Sequence, residues 1–278
     1  MNLTLKITAE AKASTTACVL LAAASGLSKG RIKEAMGKGA VWLRHGKKRR
    51  RLRRATTIPS SGDVLELYYN EKLLARKPPL SDCLVDEGPY SLWYKPAGLL
   101  AQGNNYGDHC SLLRQAELRT RQPVFLVHRL DREAAGLMLI AHSREAAARL
   151  SRLFRENSID KTYVVRVSGR LQAPQGAIDQ PLDGKTARTE YVVSHYDSDA
   201  DTTLVSVTLK SGRLHQIRRH FALLGHPVMG DPRYGSGNKD AAGLQLQAVG
   251  LAFRCPISGA HRAYRLPSSS FPTIVDQI

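Results

Sequence analysis

The feature that most constrains this chain is an apolar run with an ionisable cluster directly before it: VHRLDREAAGLMLIAHS, residues 127–143. Residues 137–141 are too few for a helix and too apolar for the surface, so they read as a buried strand. The cluster His128-Arg129-Leu130-Asp131-Arg132 must then sit at the edge of a core, where a side chain is held in place yet reachable. Read alone, Asp131 is either a reactive carboxylate or a loop residue accepting local backbone N–H bonds.

What meets that edge is indicated by charge. Among 278 residues, Lys and Arg number 41 against 24 Asp and Glu, a formal +17, and such an excess attracts a polyanion more readily than a neutral small molecule. A nucleic acid is the leading partner, the alternative being a basic surface that serves solubility alone. Cys18, Cys83, Cys110 and Cys255 lie far apart with no CxxC pair, so no zinc site is expected and the thiols read as reduced and cytosolic. No apolar run approaches the roughly 20 residues of a membrane span. Residues 17–24 imitate the apolar centre of a signal peptide, but Glu10 precedes them and they suit a helix better. The expectation is a cytoplasmic protein without a membrane segment.

Charge is concentrated at the front. Residues 1–88 carry 17 basic and 8 acidic side chains, and residues 89–278 carry 24 and 16. The spacing predicts a helix over 14–24 ended by Gly26, and a second over 29–36 with Ser28 as N-cap. Short β-prone runs follow at 41–43 and 64–69, and between them residues 44–54 hold eight Lys or Arg with no acid. Residues 75–89 have the proline and charge content of a linker. Beyond it, β-prone segments recur at 90–94, 137–141, 162–167, 189–194, 204–209 and 245–253, interrupted by helical runs at 144–156 and 215–224. The expected organisation is a small α/β module over 1–74, a linker over 75–89, and an α+β domain with a mixed sheet over 90–278.

The stretch GLSKGRIKEAMGKGAVWLRHGKKRRR followed by SSGDVLELYY resembles an S4 RNA-binding module over the first quarter of the chain. That resemblance implies phosphate contacts from Lys29, Arg31 and Lys33 on the second helix and from Lys47, Lys48, Arg49, Arg50 and Arg51 in the loop after it. The loop is longer and more basic than is usual in such modules, and its other reading is a solvated charge run.

From residue 90 the chain resembles the RluA-type RNA pseudouridine synthases. Five blocks occur in family order: WYKPAGLL at 93–100, HRLD at 128–131, GLML at 136–139, KTYVVRVSG at 161–169, and SGRLHQIRRHFALLGHPVMGDPRYG at 211–235. Three positions depart from the family pattern: Ala134-Ala135 in place of Thr-Ser, Leu214 in place of Thr, and Gln102-Gly103 in place of His-Pro. None removes a charged group. The related synthases that also bear S4 modules typically have GRLD, so His128 favours the RluA type.

The resemblance implies an isomerase that breaks the N1–C1′ bond of uridine, turns the uracil, and joins C5 to C1′. It implies no cofactor and no metal, and an RNA substrate, ribosomal or transfer, with ribosomal favoured. Asp131 is the implied catalytic carboxylate, as nucleophile, proton acceptor or electrostatic stabiliser. Arg213 is the implied basic partner that orients it, its rival role being a phosphate contact. Tyr163 is the implied active-site aromatic, though an aromatic in a strand otherwise reads as core. Arg129 is implied to enter the space left by the extruded nucleotide, and His128 reads as a structural hydrogen-bonder rather than a proton shuttle. The competing function is an RNA-binding or ribosome-assembly protein that keeps the fold without the chemistry. A methyltransferase would need a glycine-rich nucleotide loop after a strand, which the chain lacks. A monomer is the default expectation.

Overall fold

The computed structural model describes residues 1–10 and 14–267; residues 268–278, the end of the expected 90–278 domain, lie outside the described residues. The chain divides into two compact units, Met1–Pro79 with Gln102–Arg119, and Leu80–Ala101 with Thr120–Ile278.

The first unit holds β1 (Asn2–Thr8), α1 (Ala17–Ser25), α2 (Lys29–Gly37), β2 (Val41–His45), β3 (Lys48–Arg51), β4 (Val64–Asn70), α3 (Glu71–Leu74) and α4 (Leu112–Thr120). Its antiparallel sheet has the order β1-β4-β2-β3. Gly26 closes α1 in the left-handed region, and the Ser28 side chain caps α2 by accepting from Arg31 N. Leu21, Ile32, Met36, Val41, Leu65 and Leu67 are buried together between helices and sheet. The sequence predicts helices at the start of this unit, yet a strand precedes them: NLTLKIT alternates and turns Leu3, Leu5 and Ile7 onto the core.

The basic run is a hairpin, and part of its charge is used internally. The register sets Arg44 opposite Arg49, a like-charge pair that is unfavourable unless each cation finds another partner. Arg49 donates to Glu66 at 2.8 and 3.0 Å and lies 3.9 Å from the Trp42 ring centroid. The Arg51 guanidinium lies 4.2 Å from that ring, and its Nε is 3.0 Å from Asp108. Arg53 also pairs with Asp108. Cation–π interactions and charge-assisted hydrogen bonds thus brace the hairpin. Arg31 of α2 pairs with Glu71 at 3.2 Å. Lys29, Lys33, Lys47, Lys48 and Arg50 are exposed.

The second unit holds β5 (Asp82–Asp86), β6 (Tyr90–Lys95), β7 (Phe125–Leu126), β8 (Ala135–Ala141), α5 (Arg144–Arg155), β9 (Asp160–Ser168), β10 (Gln175–Asp179), β11 (Arg188–Asp197), β12 (Thr202–Leu209), α6 (Gln216–Leu223), β13 (Leu246–Arg254) and β14 (His261–Arg265). The sheet runs β10-β11-β12-β9-β13-β8-β6-β5, with β14 beside β13 and β7 beside β8. β13 and β8 are parallel and the other pairs antiparallel, so the sheet is mixed and the fold is α+β. One core packs α5 against β8 through Leu139, Ala146 and Leu150. A second packs α6 onto β9, β11 and β12 through Val165, Tyr191, Val205, Val207, Ile217 and Phe221.

The expected linker differs from this arrangement in that residues 82–86 pair with β6 as an edge strand. Its exposed Leu84 and Val85 flank charges, and charged, proline-preceded edge strands resemble linkers in composition. Gly136 explains the glycine at the start of the buried strand. Its φ is +122°, and a Cβ there would lie 2.2 Å from the Ala248 carbonyl oxygen, so β8 and β13 meet only if this residue has no side chain.

Candidate active site

Asp131 lies on the loop between β7 and β8, its side chain 21% exposed. It borders a cavity of about 130 Å³ whose walls include Arg129, Tyr163 of β9, Arg213, His215 and Arg218. The loop is anchored on both sides of the carboxylate. Before it, His128 stacks on Phe154 with ring centroids 4.1 Å apart, and its Nε2 accepts from the Leu139 amide at 3.0 Å. After it, the Arg132 carbonyl accepts from Gly98 N at 2.7 Å and from Lys95 Nζ at 3.3 Å.

Lys95 is fully buried at the end of β6, where its ammonium also donates to the Pro96 and Leu99 carbonyls at 3.1 and 2.8 Å. It therefore ties the KPAG turn to the Asp131 loop. Burial draws its pKa down to about 7, with Asp131 and Glu133 opposing.

A basic residue does face Asp131, but it is Arg218 rather than the expected Arg213. Arg218, in the first turn of α6, donates from Nη1 to Asp131 Oδ2 at 2.9 Å, and from Nε and Nη2 to the two oxygens of Asp231 at 2.7 Å each. Its side chain is 2% exposed and that of Asp231 0%. Burial opposes the guanidinium charge, but the hydrogen bonds to the two carboxylates outweigh it and raise its pKa above the ordinary arginine value. Burial likewise works against the Asp231 anion, which Arg218 and the Arg233 and Tyr234 amides nevertheless hold below the usual carboxylate range. Asp231 fixes the plane of the fork, and the remaining arm meets Asp131.

Arg213 precedes the helix. Its Nε donates to the Thr186 carbonyl at 3.0 Å, and its side chain forms part of the cavity wall without pairing to Asp131. The turn that separates the two arginines is organised by buried Gln216, whose Oε1 accepts from Arg213 N and Ser211 Oγ while Nε2 donates to the Arg188 carbonyl and Thr189 Oγ1. His220 tethers the far side of the helix through Thr189 Oγ1 and the Gln180 carbonyl at 2.9 and 3.0 Å. Sequence reasoning missed Arg218, Asp231 and Lys95 as site residues, although all three stand inside the blocks it singled out.

Tyr163 faces the same cavity from β9, paired across to Val207 and Ala248. Burial, with Asp131 adding to it, pushes its phenol well above the ordinary range, so the ring is a neutral apolar face with a retained proton. Arg129 is exposed at the rim.

His128 is shaped for structure. Burial, with a smaller contribution from Lys161, pushes its pKa down to about 3. The unfolded chain binds a proton on this ring below roughly pH 6.5, whereas the folded chain resists until far lower. The stability linked to His128 is thus present above about pH 6.5 and is lost as pH falls towards 3, at up to about 1.4 kcal/mol per pH unit. Urea unfolding of the wild type and of His128→Gln should show the wild type's advantage shrinking from pH 7 to pH 4.5. An advantage independent of pH would mean that the folded-state ring titrates normally.

A family profile described as RNA pseudouridylate synthase matches residues 89–223. Among curated relatives, the dual-specificity RNA pseudouridine synthase RluA of Escherichia coli K12 is 33% identical over 191 residues, which is 63% of this chain and 87% of that protein. An uncharacterised RNA pseudouridine synthase of Aquifex aeolicus is 43% identical over 124 residues, 40% of this chain and 39% of that protein. Among solved structures, human RNA pseudouridylate synthase domain containing 1 aligns with a TM-score of 0.59 at 22% identity, covering 71% of this chain and 88% of that one. That likeness is one of fold.

Proposed function

This chain belongs to the RluA-type family of RNA pseudouridine synthases, and from that premise we propose that Asp131 is the carboxylate with which it isomerises uridine in structured RNA. The observation that carries the assignment is the Asp231–Arg218–Asp131 arrangement, in which a buried acid and a buried guanidinium hold the partly exposed Asp131 at a cavity shared with Tyr163. A carboxylate oriented by a guanidinium that is itself held bidentately can attack a sugar carbon, stabilise a cationic sugar or accept a proton with little reorganisation. In this reading the Tyr163 ring carries the uracil while the N1–C1′ bond breaks and C5 is brought to C1′. A uridine stacked in RNA must first be extruded, at a cost of a few kcal/mol. Arg129, at the rim, fills the vacated space, and Arg213 holds a flanking phosphate. Tritium release from RNA carrying 5-tritiated uridine tests the activity, and comparing pseudouridines in RNA from cells with and without the gene identifies the target. No release and an unchanged map would sink the proposal.

We read the first unit as an S4-like RNA-binding module and favour ribosomal over transfer RNA. The exposed Lys29, Lys33, Lys47, Lys48 and Arg50 support phosphate binding, whereas Arg31, Arg49 and Arg51 already have acidic partners. Neutralising Lys47, Lys48 and Arg50 together should flatten the dependence of log K on log salt by about 0.7 for each single-strand phosphate that these side chains neutralise in the wild type. Arg49→Gln should instead lower stability, since it strands buried Glu66 and unstacks Trp42. An unchanged slope in the triple variant would make the hairpin a solvated charge run.

A further inference from the structure

Asp131 has two oxygens, and Arg218 holds only one of them. The other, Oδ1, is approached by His215, whose Nε2 is 3.6 Å away. On its opposite side, His215 Nδ1 is 2.9 Å from the Tyr234 hydroxyl, and the two rings meet edge to face with centroids 5.6 Å apart. The backbone of His215 is in the left-handed region, at φ 52° and ψ 31°, where it caps α6 without any side-chain cap hydrogen bond. Strain of this kind in a residue other than glycine persists where its surroundings impose it, and it clusters at functional sites.

From this geometry we infer that His215 is a positioning residue for the isomerisation, its neutral ring donating from Nε2 to Asp131 Oδ1 while Nδ1 accepts the Tyr234 hydroxyl proton. The inference rests on the reading of Asp131 as the catalytic carboxylate. The Tyr234 hydroxyl can donate or accept, whereas the carboxylate only accepts, so the tautomer that satisfies both neighbours carries hydrogen on Nε2, facing Asp131, and takes the Tyr234 proton on Nδ1. The charged and titratable groups around the ring are Asp131, Arg218, Asp231, Arg233 and Tyr234. Burial lowers the imidazole pKa, with Arg218 and Arg233 acting in the same direction and Asp131 against them, which favours the neutral ring. At 3.6 Å the approach is longer than a hydrogen bond. Catalytic hydrogen bonds are commonly long in the unliganded enzyme and close when substrate enters.

Two substitutions separate this role from a merely structural one. Asn tolerates the left-handed backbone better than most residues, but its amide reaches only as far as Nδ1 does. Gln tolerates that backbone less well, yet it carries a donor to about the position of Nε2. A turn role therefore favours His215→Asn, and a positioning role favours His215→Gln. With tritium release as readout, His215→Asn should lose at least about tenfold in kcat with KM for RNA within about twofold, because the Nε2 hydrogen bond acts on the reacting carboxylate and not on RNA binding. His215→Gln should retain more kcat than Asn despite a lower melting temperature. Tyr234→Phe, which leaves the His215 backbone as it is, should also lower kcat without raising KM. Wild-type kcat in His215→Asn and Tyr234→Phe would overturn the inference, as would a change confined to KM. If wild type releases tritium and Asp131→Asn does so equally, the reading of Asp131 fails and this inference with it; if only the His215 and Tyr234 variants behave as wild type, the reading of Asp131 stands and this inference alone fails.

Discussion

Asp131→Asn should abolish pseudouridine formation while leaving the fold and RNA affinity in place. Asn keeps the shape of the side chain and can still accept the hydrogen bond that Arg218 Nη1 gives to Asp131 Oδ2 at 2.9 Å. What it loses is the negative charge, which a nucleophile, a proton acceptor and an electrostatic stabiliser all require. Folding should survive because the loop is secured by its neighbours: His128 through the Leu139 amide, and Arg132 through Gly98 and Lys95. Asp131→Glu should fail too, since one methylene displaces the carboxylate by about 1 Å and misplacement on that scale can cost roughly a hundredfold in rate. Tritium release and RNA binding measured on the same preparation decide the matter. Substantial release from the Asn variant would sink the mechanism, and joint loss of release and binding would point to a damaged fold.

The second large effect belongs to Arg218. Lys has charge but no fork, and it cannot span Asp131 and both oxygens of Asp231 as Nε, Nη1 and Nη2 do. Arg218→Lys should lower kcat by about a hundredfold or more, equivalent to about 2.7 kcal/mol of transition-state stabilisation. Arg218→Ala goes further, because it leaves the Asp231 carboxylate, 0% exposed, without its cation. Breaking a buried pair from one side typically costs about 3–5 kcal/mol of stability, which chemical denaturation will measure. Arg213→Lys is the control: Asp131 keeps its partner, so kcat should stay within about tenfold and the change should fall mainly on KM. A collapse of kcat in Arg213→Lys beside a healthy Arg218→Lys would reverse the assignment.

That exchange of arginines shows where linear reasoning stops. Helical phase, and not residue type, selects between them. α6 begins at Gln216, so Arg213 lies on the turn before it and meets the Thr186 carbonyl, while Arg218 lies in the first turn and is directed inward. Both belong to one short motif, and nothing in the letters GRLHQIRRH says which will face a loop 87 residues away. Asp231 was equally inaccessible: it reads as a turn residue after Gly230 until α6 brings a buried guanidinium against it.

In the basic run, strand register plays the part that helical phase plays in α6. Counted along the chain, Arg49 and Arg51 are free cations, but β2–β3 pairing sets them on Trp42, and their acidic partners Glu66 and Asp108 come from 17 and 57 residues further on. The alternation of NLTLKIT does signal β1, whereas β5, five residues with an acid at each end and little buried surface, is held mainly by its hydrogen bonds to β6 and leaves little trace in composition.

Short-range chemistry is legible along the chain: a buried strand at 137–141, an ionisable cluster compelled to its edge, a mixed sheet with few helices, and motifs dense enough to identify a family. Which cation orients Asp131, which acid orients that cation, and which arginines of the basic run pair with acids emerge only in three dimensions, because each of these is an interaction between residues far apart in sequence whose energy exists only once sheet register and helix phase are set.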